Sequence, residues 1–420
     1  MEMEIISKEV IKPSSPTPNH LKTFKLSLID QLTLHSYTPI LLLYNSHHTN
    51  SSHILKQSLS ETLTKYYPFA GRLENDGVTV DCGDQGVVFV EAKIRGCTVS
   101  EFLADPKFET QRLLYPEGFL WKDSCIGHTF LAVQTTSFEG GGMAVTIAIS
   151  HKIVDGCSTA TFLNDWAAVA RSEDRSPPTF LAKSIPSLDL GYIMPEIVVN
   201  KAKTCVTRRF VFRAQKIAQL IQSVLGIVEN PTRGELVTAL LYKCAVTALT
   251  EKTGCFINSN LIQLVNMRRR LATPLPDDSI GNFSWYFTIS NNHESEIMNL
   301  GKLVLQLKKK IKELRDGEDY QSLNDWLTSV VESIKNAKEL FGDVDVYRCS
   351  DMHNMPYYQT DFGWGNPRWV TIPDLLVKNM FVLFNTPDGD GIEAMVTLEE
   401  DHMRLFQSSP QLLEFASTPI

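Results

Sequence analysis

The chain has 420 residues, 43% hydrophobic and 21% charged, and a formal net charge of -8. This is the composition of a globular protein, and the length exceeds what one core usually organises, so two domains of roughly 200 residues each are expected. The acidic balance argues against nucleic acid as the main partner, since phosphate recognition needs a basic surface, although a local basic pocket for a phosphorylated co-substrate stays open.

The opening residues Met1-Glu2-Met3-Glu4 are acidic where a secretory leader would be basic, and no apolar run approaches the ~18 residues needed to cross a bilayer. The eight cysteines are scattered without a Cys-x-x-Cys pair. Together these features lead us to expect a cytoplasmic protein with reduced thiols, and Asn50-Ser51-Ser52 then reads as loop composition rather than a glycosylation site.

Pro13 to Pro18 is an extended lead-in. Pro39 to Tyr44 reads as a buried strand, and Ile54 to Tyr67 as a helix with Leu55, Leu59 and Leu63 on one face, stopped by Pro68. Val78 to Ala92 reads as two short strands around Gly83-Asp84-Gln85-Gly86. Gly140-Gly141-Gly142 then feeds Met143 to Ser150, an apolar, β-branched strand. Ser158 to Ala170 carries Phe162, Leu163, Trp166 and Val169 at helical spacing, with Asp155 and Ser158 as capping candidates.

From Ser172-Glu173-Asp174-Arg175-Ser176-Pro177-Pro178 to about residue 205 the pattern loses its period, which suggests a crossover between domains. Beyond it, Arg208 to Arg213 and Ile262 to Met267 read as strands, and Glu235 to Leu249, Ile297 to Leu314 and Tyr320 to Leu340 as helices. Strands alternating with helices in both halves indicate an α/β protein with two sheet-containing lobes.

Between the strand ending at Ser150 and the helix beginning near Ser158 lies His151-Lys152-Ile153-Val154-Asp155-Gly156. A histidine on a strand-to-helix connection is well placed to act as a general base, and the carboxylate four residues on is a natural partner for its imidazole. A buried histidine satisfied within a core turn is the plainer reading of the same residues. His47, His48 and His53 share an Asn- and Ser-rich segment that reads as a solvated loop, so no metal site is assigned. Lys308-Lys309-Lys310 reads as the wet face of an amphipathic helix. In Arg268-Arg269-Arg270 one arginine can pair with a buried carboxylate and another can meet phosphate. Asp361-Phe362-Gly363-Trp364-Gly365 reads as a sharp structural turn. There is no Gly-x-Ser-x-Gly elbow, phosphate loop, Gly-x-Gly-x-x-Gly or His-Glu-x-x-His, so covalent serine catalysis and nucleotide cofactors are not supported.

The His151 to Gly156 motif, followed some 200 residues later by Asp361 to Gly365, resembles the plant BAHD acyl-CoA-dependent acyltransferases, most closely the vinorine synthase-like branch. Leu26 to Gln31, Tyr66 to Leu73, Thr232 to Ala239 and Gly281-Asn282-Phe283 also look like family blocks. The resemblance implies a monomer with two similar lobes of the chloramphenicol acetyltransferase-like type, each a mixed sheet flanked by helices. One lobe would span residues 1–190, joined by about 358–383, and the other 205–420, with 191–204 as the crossover. A channel between the lobes would bring acyl-CoA and a small-molecule alcohol to His151 from opposite faces.

On this resemblance His151 is the catalytic base. Asp155 points away from it to pair with Arg268, and Gly156, Asp361, Gly363, Trp364 and Gly365 are structural. The implied function is O-acyl transfer, with acetyl-CoA the expected co-substrate and no bound cofactor or metal, onto an alkaloid or terpenoid hydroxyl. N-acylation of an amine, or metabolite binding without turnover, are the alternatives. The chain departs from the family at Ser350-Asp351-Met352 and Asn354, where many members carry hydroxyl residues, Trp and Arg. In hydroxycinnamoyltransferases those positions help hold the oxyanion and an acidic acceptor. The departure leaves the oxyanion donor unassigned and disfavours acceptors of that kind.

Overall fold

The computed structural model describes all residues except 1, 34, 48–49, 121–124, 184, 186–203, 272–273, 277, 292, 316–321, 336–343, 376 and 418–420. The expected crossover at 191–204 therefore lies outside the described residues, apart from Thr204.

Two six-stranded mixed sheets organise the fold. The first runs Glu2–Ile11, Val87–Arg95, Leu131–Ser137, Met143–Ser150, Tyr37–Tyr44 and Trp369–Thr371 in spatial order. The second runs Cys205–Phe212, Ile392–Glu399, Met380–Asn385, Asp345–Asp351, Ser259–Asn266 and Ser284–Asn291. Among the described residues, strands of the two halves pair at two places. Trp369–Thr371 leaves the second half to pair antiparallel with Tyr37–Tyr44, and Ser279–Ile280 pairs in parallel with Thr179–Phe180.

All eight residues of Met143–Ser150 are buried, as continuous apolarity requires of a strand covered on both faces. Its antiparallel neighbours, Leu131–Ser137 and Tyr37–Tyr44, fix its position over its full length. Helix Gly156–Ala170 packs on helix Ser51–Lys65, and Trp166, fully buried, donates from Nε1 to Ser58 Oγ at 3.0 Å. In the second half, helix Arg233–Thr253 starts with a capping box of Thr232 and Glu235 and ends at Gly254, whose φ of 74° suits glycine.

The strands flanking Gly83 to Gly86 do not pair with each other. Thr79–Asp81 joins a small sheet with Thr23–Lys25 and Arg72–Leu73, whereas Val87–Arg95 enters the first large sheet. Asp84 diverts the chain by accepting from Thr17 N, Thr17 Oγ1 and Lys22 Nζ. Edge strand Glu2–Ile11 gave no signal in the sequence. Its register shifts between Ile5 and Ser7, and Ile5, Ile6 and Val10 are more than half exposed, so no alternation survives. The helix expected over Ile297 to Leu314 is two helices, Glu294–Ile297 and Leu300–Arg315, and Leu323–Lys335 is the described part of the one expected over Tyr320 to Leu340.

Candidate active site

His151 follows directly on the buried strand, and its backbone N–H donates to Ser36 O at 2.9 Å. The backbone is thus anchored before the side chain is considered. The imidazole Nδ1 lies 3.0 Å from Asn282 Oδ1, not against Asp155. Asn282 Nδ2 donates to His151 O at 2.7 Å and to Asp30 Oδ1 at 2.9 Å. Both of those partners only accept, so the amide orientation is determined and Oδ1 faces the ring. Asn282 Oδ1 therefore requires Nδ1 to carry the hydrogen, which leaves the lone pair on Nε2.

Asp30 supports this arrangement from below. Its Oδ1 also accepts Asn282 N at 2.8 Å, while Oδ2 takes Ser27 N and Ser27 Oγ at 3.0 and 2.7 Å. Burial pushes the Asp30 carboxyl above its ordinary value, against the pull of these hydrogen bonds. Lys152, next to His151, turns into the core and donates from Nζ to Gln31 O at 2.7 Å. Burial lowers the Lys152 pKa to about 8, and burial with the nearby Lys152 charge lowers that of His35 to about 4.

Asp155 has a different set of partners. Its Oδ2 receives Arg268 Nη1 at 2.7 Å, Phe283 N at 3.0 Å and Ser284 Oγ at 3.1 Å. Its Oδ1 receives Arg268 Nη2 at 3.1 Å and caps helix Gly156–Ala170 through Ser158 N at 2.9 Å. Arg268 reaches further to Ser158 Oγ and Gly281 O. The two side chains are 2% and 1% exposed. Burial alone would raise the Asp155 carboxyl, but the Arg268 charge and the hydrogen bonds outweigh it and hold the carboxyl below its ordinary value. The pair joins the motif of the first half to the second half's 266–284 segment, which also carries Asn282.

Gly156 opens the helix with its carbonyl accepting from Tyr357 Oη at 2.7 Å. A Cβ there would lie 3.1 Å from both Met352 Cε and Met355 Sδ, so the bare glycine admits the 352–355 segment against the motif. The Asp361 to Gly365 turn closes on itself, with Asp361 Oδ1 accepting Gly363 N and Gly365 N at 2.7 and 2.8 Å. Gly363 and Gly365 have φ values of 106° and 97°, in the region that favours glycine. Phe362 packs edge-on to Trp166, Trp364 stacks on Phe362, and Arg171 Nη1 donates to Asp361 O. The turn thus buttresses the helix after the motif.

The remaining clusters fall elsewhere. His47 bonds Gly141 O at 2.6 Å, His48 lies outside the described residues, and among the described residues no three metal-ligating side chains converge. Lys308 donates to Asn230 O, and Lys309 and Lys310 pair with Glu313 on an exposed helix face. Arg270 donates from Nε to Asn266 O at 3.0 Å. Asn282 and Asp30 are the site residues whose roles sequence reasoning missed. Both stood in blocks noted for resemblance, but a hydrogen bond across 252 positions leaves no local periodicity.

The family model described as "Transferase family" matches residues 1–413. Diaboline synthase from Strychnos sp is 42% identical over 99% of this chain and 92% of its own length. The chain belongs to the BAHD acyltransferase family. The 17,18-epoxy-17-hydroxycur-19-ene N-malonyltransferase of Strychnos nux-vomica is 40% identical over 99% of this chain and 91% of its own. Among solved structures, vinorine synthase aligns with a TM-score of 0.84 at 31% identity, covering 99% of each chain. Two sheet-containing domains flanked by helices are the architecture this BAHD member shares with that structure.

Proposed function

We propose that this protein is an acyl-CoA-dependent O-acyltransferase, using acetyl-CoA, that acts on a hydroxyl of an alkaloid or terpenoid. The observation that carries the proposal is the His151–Asn282 pair, which leaves Nε2 as the basic nitrogen while Asp155 is committed to Arg268. An alcohol is a poor nucleophile at neutral pH. His151 Nε2 removes the hydroxyl proton as the oxygen attacks the thioester carbonyl, giving a tetrahedral oxyanion. Collapse breaks the C–S bond, and the imidazolium returns its proton to the leaving thiolate. General-base assistance of this kind is worth ~100- to 10,000-fold in rate.

In this reading Asp155, Gly156 and Arg268 hold the site's architecture, and Asp361, Gly363, Trp364 and Gly365 brace the helix behind it. The lobes would comprise residues 1–190 with the return segment 358–383, and 205–420, in a cytoplasmic monomer. An amine attacks the same thioester and loses a proton in the same way, and the N-malonyltransferase name of one relative favours N-acylation as the second reading.

Purified protein incubated with acetyl-CoA and a panel of alcohols, with free thiol followed, tests the proposal. Thiol release that depends on both substrates and falls at least ~100-fold in His151→Ala is the expected result. No release with any alcohol, or undiminished activity in the variant, overturns it. Product mass separates ester from amide.

A further inference from the structure

Helix Leu300–Arg315 carries five lysines and one arginine against one glutamate, in a chain whose net charge is -8. Its inner face is Leu300, Leu303, Val304, Leu307 and Leu314, all buried in the core of the second half. The arc turned away from that face holds Lys302, Leu305, Lys309 and Lys312 at three- and four-residue spacing, and all four are exposed.

Leu305, with 43% of its surface exposed among these cations, continues an apolar strip. One turn earlier stands Gly301, where a Cβ would lie 2.9 Å from both Cδ1 and Cγ2 of Ile227, so the bare glycine seats that side chain on the helix. Ile227 itself stays 49% exposed, and Leu225, two residues before it, is also half-exposed. Their loop then follows the helix, and Lys308 Nζ donates to Glu229 O and, at 2.6 Å, to Asn230 O. Leu305 lies between these two attachments, beside the loop.

The loop engages Lys308 and leaves its neighbours outward. Among the described residues Lys302 Nζ bonds no group. Lys309 meets Glu313 at 4.0 Å with 78% of its side chain exposed, a contact too open to neutralise it. A single exposed leucine is ordinary on a protein surface, but here exposed leucine and isoleucine are set within a local excess of cations. The complement of such a face is apolar beneath an anionic skin, which is how a bilayer with acidic headgroups is built. Lysine stems lie along the apolar layer while their ammonium groups stay at headgroup level. Nucleic acid would meet the charge but leave Leu305 and Ile227 uncovered. A second copy docked about a two-fold axis would set the same lysines against each other.

We propose that this face is a peripheral docking surface that lays helix Leu300–Arg315 on a bilayer containing anionic phospholipid. The helix keeps its inner face on the protein core, so only the tips of the outer side chains enter the interface and the association is reversible and salt-sensitive. The surface goes beyond the acyl-transfer reading and is independent of it.

Flotation of the full chain with vesicles of phosphatidylcholine alone, and of equimolar phosphatidylcholine and phosphatidylserine, tests the proposal. Wild type should bind the anionic vesicles at least ~10-fold more tightly, and ~1 M salt should abolish the difference. Each lysine at an anionic surface is worth about 5-fold in binding, so the double variant Lys302→Glu with Lys309→Glu should weaken it at least ~20-fold. Leu305→Ser should weaken it at least ~3-fold through the apolar contact alone. Lys12→Glu with Lys25→Glu makes the same change in net charge on the first half and should bind as wild type does. Melting curves establish that every variant is folded. Equal binding of the two vesicle types, binding that survives in the Lys302 and Lys309 double variant, or an equal loss in the Lys12 and Lys25 control overturns the proposal. A dimer by light scattering that Leu305→Ser dissociates also overturns it, because the face then belongs to a second copy.

Discussion

Replacing Asp155 by alanine tests whether this carboxylate supports the fold or orients the imidazole. The substitution leaves Arg268, 1% exposed at its side chain, without its counter-charge. Removing one partner of a buried pair costs about 3–5 kcal/mol, because the remaining charge stays desolvated. The same change removes the cap on Ser158 N, worth about 1 kcal/mol, and strips an acceptor from Phe283 N and Ser284 Oγ. At roughly 2–4 °C per kcal/mol for a domain of this size, a fall in Tm of roughly 8–24 °C is expected. The assay is a melting curve by circular dichroism, run beside thiol release on whatever fraction remains folded.

The pH dependence of stability carries an independent signature. Asp155 is held below its ordinary value in the folded protein, so its contribution is fully present above the unfolded value of ~4 and is lost as pH falls through the folded one. Asp155→Ala should therefore lose most stability at neutral pH and converge on wild type in acid. In a double-mutant cycle, adding Arg268→Met should recover part of the loss, since both charges are then gone. Recovery stays incomplete because Ser158, Phe283 and Ser284 keep their unmet donors. A variant with wild-type Tm and no activity would refute the reasoning and return Asp155 to the role of orienting the base.

Asn282→Ala removes the acceptor that fixes the His151 tautomer, so kcat should fall at least ~10-fold with the KM for acetyl-CoA little changed. Steady-state kinetics on the folded variant decides this, and an unchanged kcat removes Asn282 from the site. Lys152, with a folded pKa of about 8 against an ordinary 10.5, binds fewer protons folded than unfolded between those values. Wild-type stability should therefore gain up to about 3 kcal/mol from this residue as pH rises from 8 toward 10.5. Urea titrations of Lys152→Met should lack that gain, and an identical rise in the variant counts against the assignment.

The strand and helix around His151 were legible because each is a local pattern. Eight buried residues in a row and a helix whose Phe162, Leu163 and Trp166 fall on its buried face are written in consecutive positions. Glu2–Ile11 was not legible, because an edge strand with a register shift and outward-facing isoleucines satisfies no period. The site divides along the same line. His151 could be singled out from its place between two elements, whereas its hydrogen-bond partner lies 131 positions away in the second half of the chain.

The placement of Asp155 follows from the geometry of the helix it caps. A residue at the N-cap has its carboxylate drawn toward the N–H groups of the first turn, here Ser158 N, and so away from the preceding loop that carries His151. Four residues of separation would bring the two side chains together only on a continuous helix, and here the helix begins after Asp155. The cap also aims the carboxylate at Phe283 N and Ser284 Oγ, so the contacts that hold Asp155 deliver Asn282, the residue before Phe283, to the imidazole. Asp155 therefore bears on the His151 imidazole only through the position of the second half's loop, and variants of Asp155 and Asn282 should be coupled even though their side chains share no hydrogen bond.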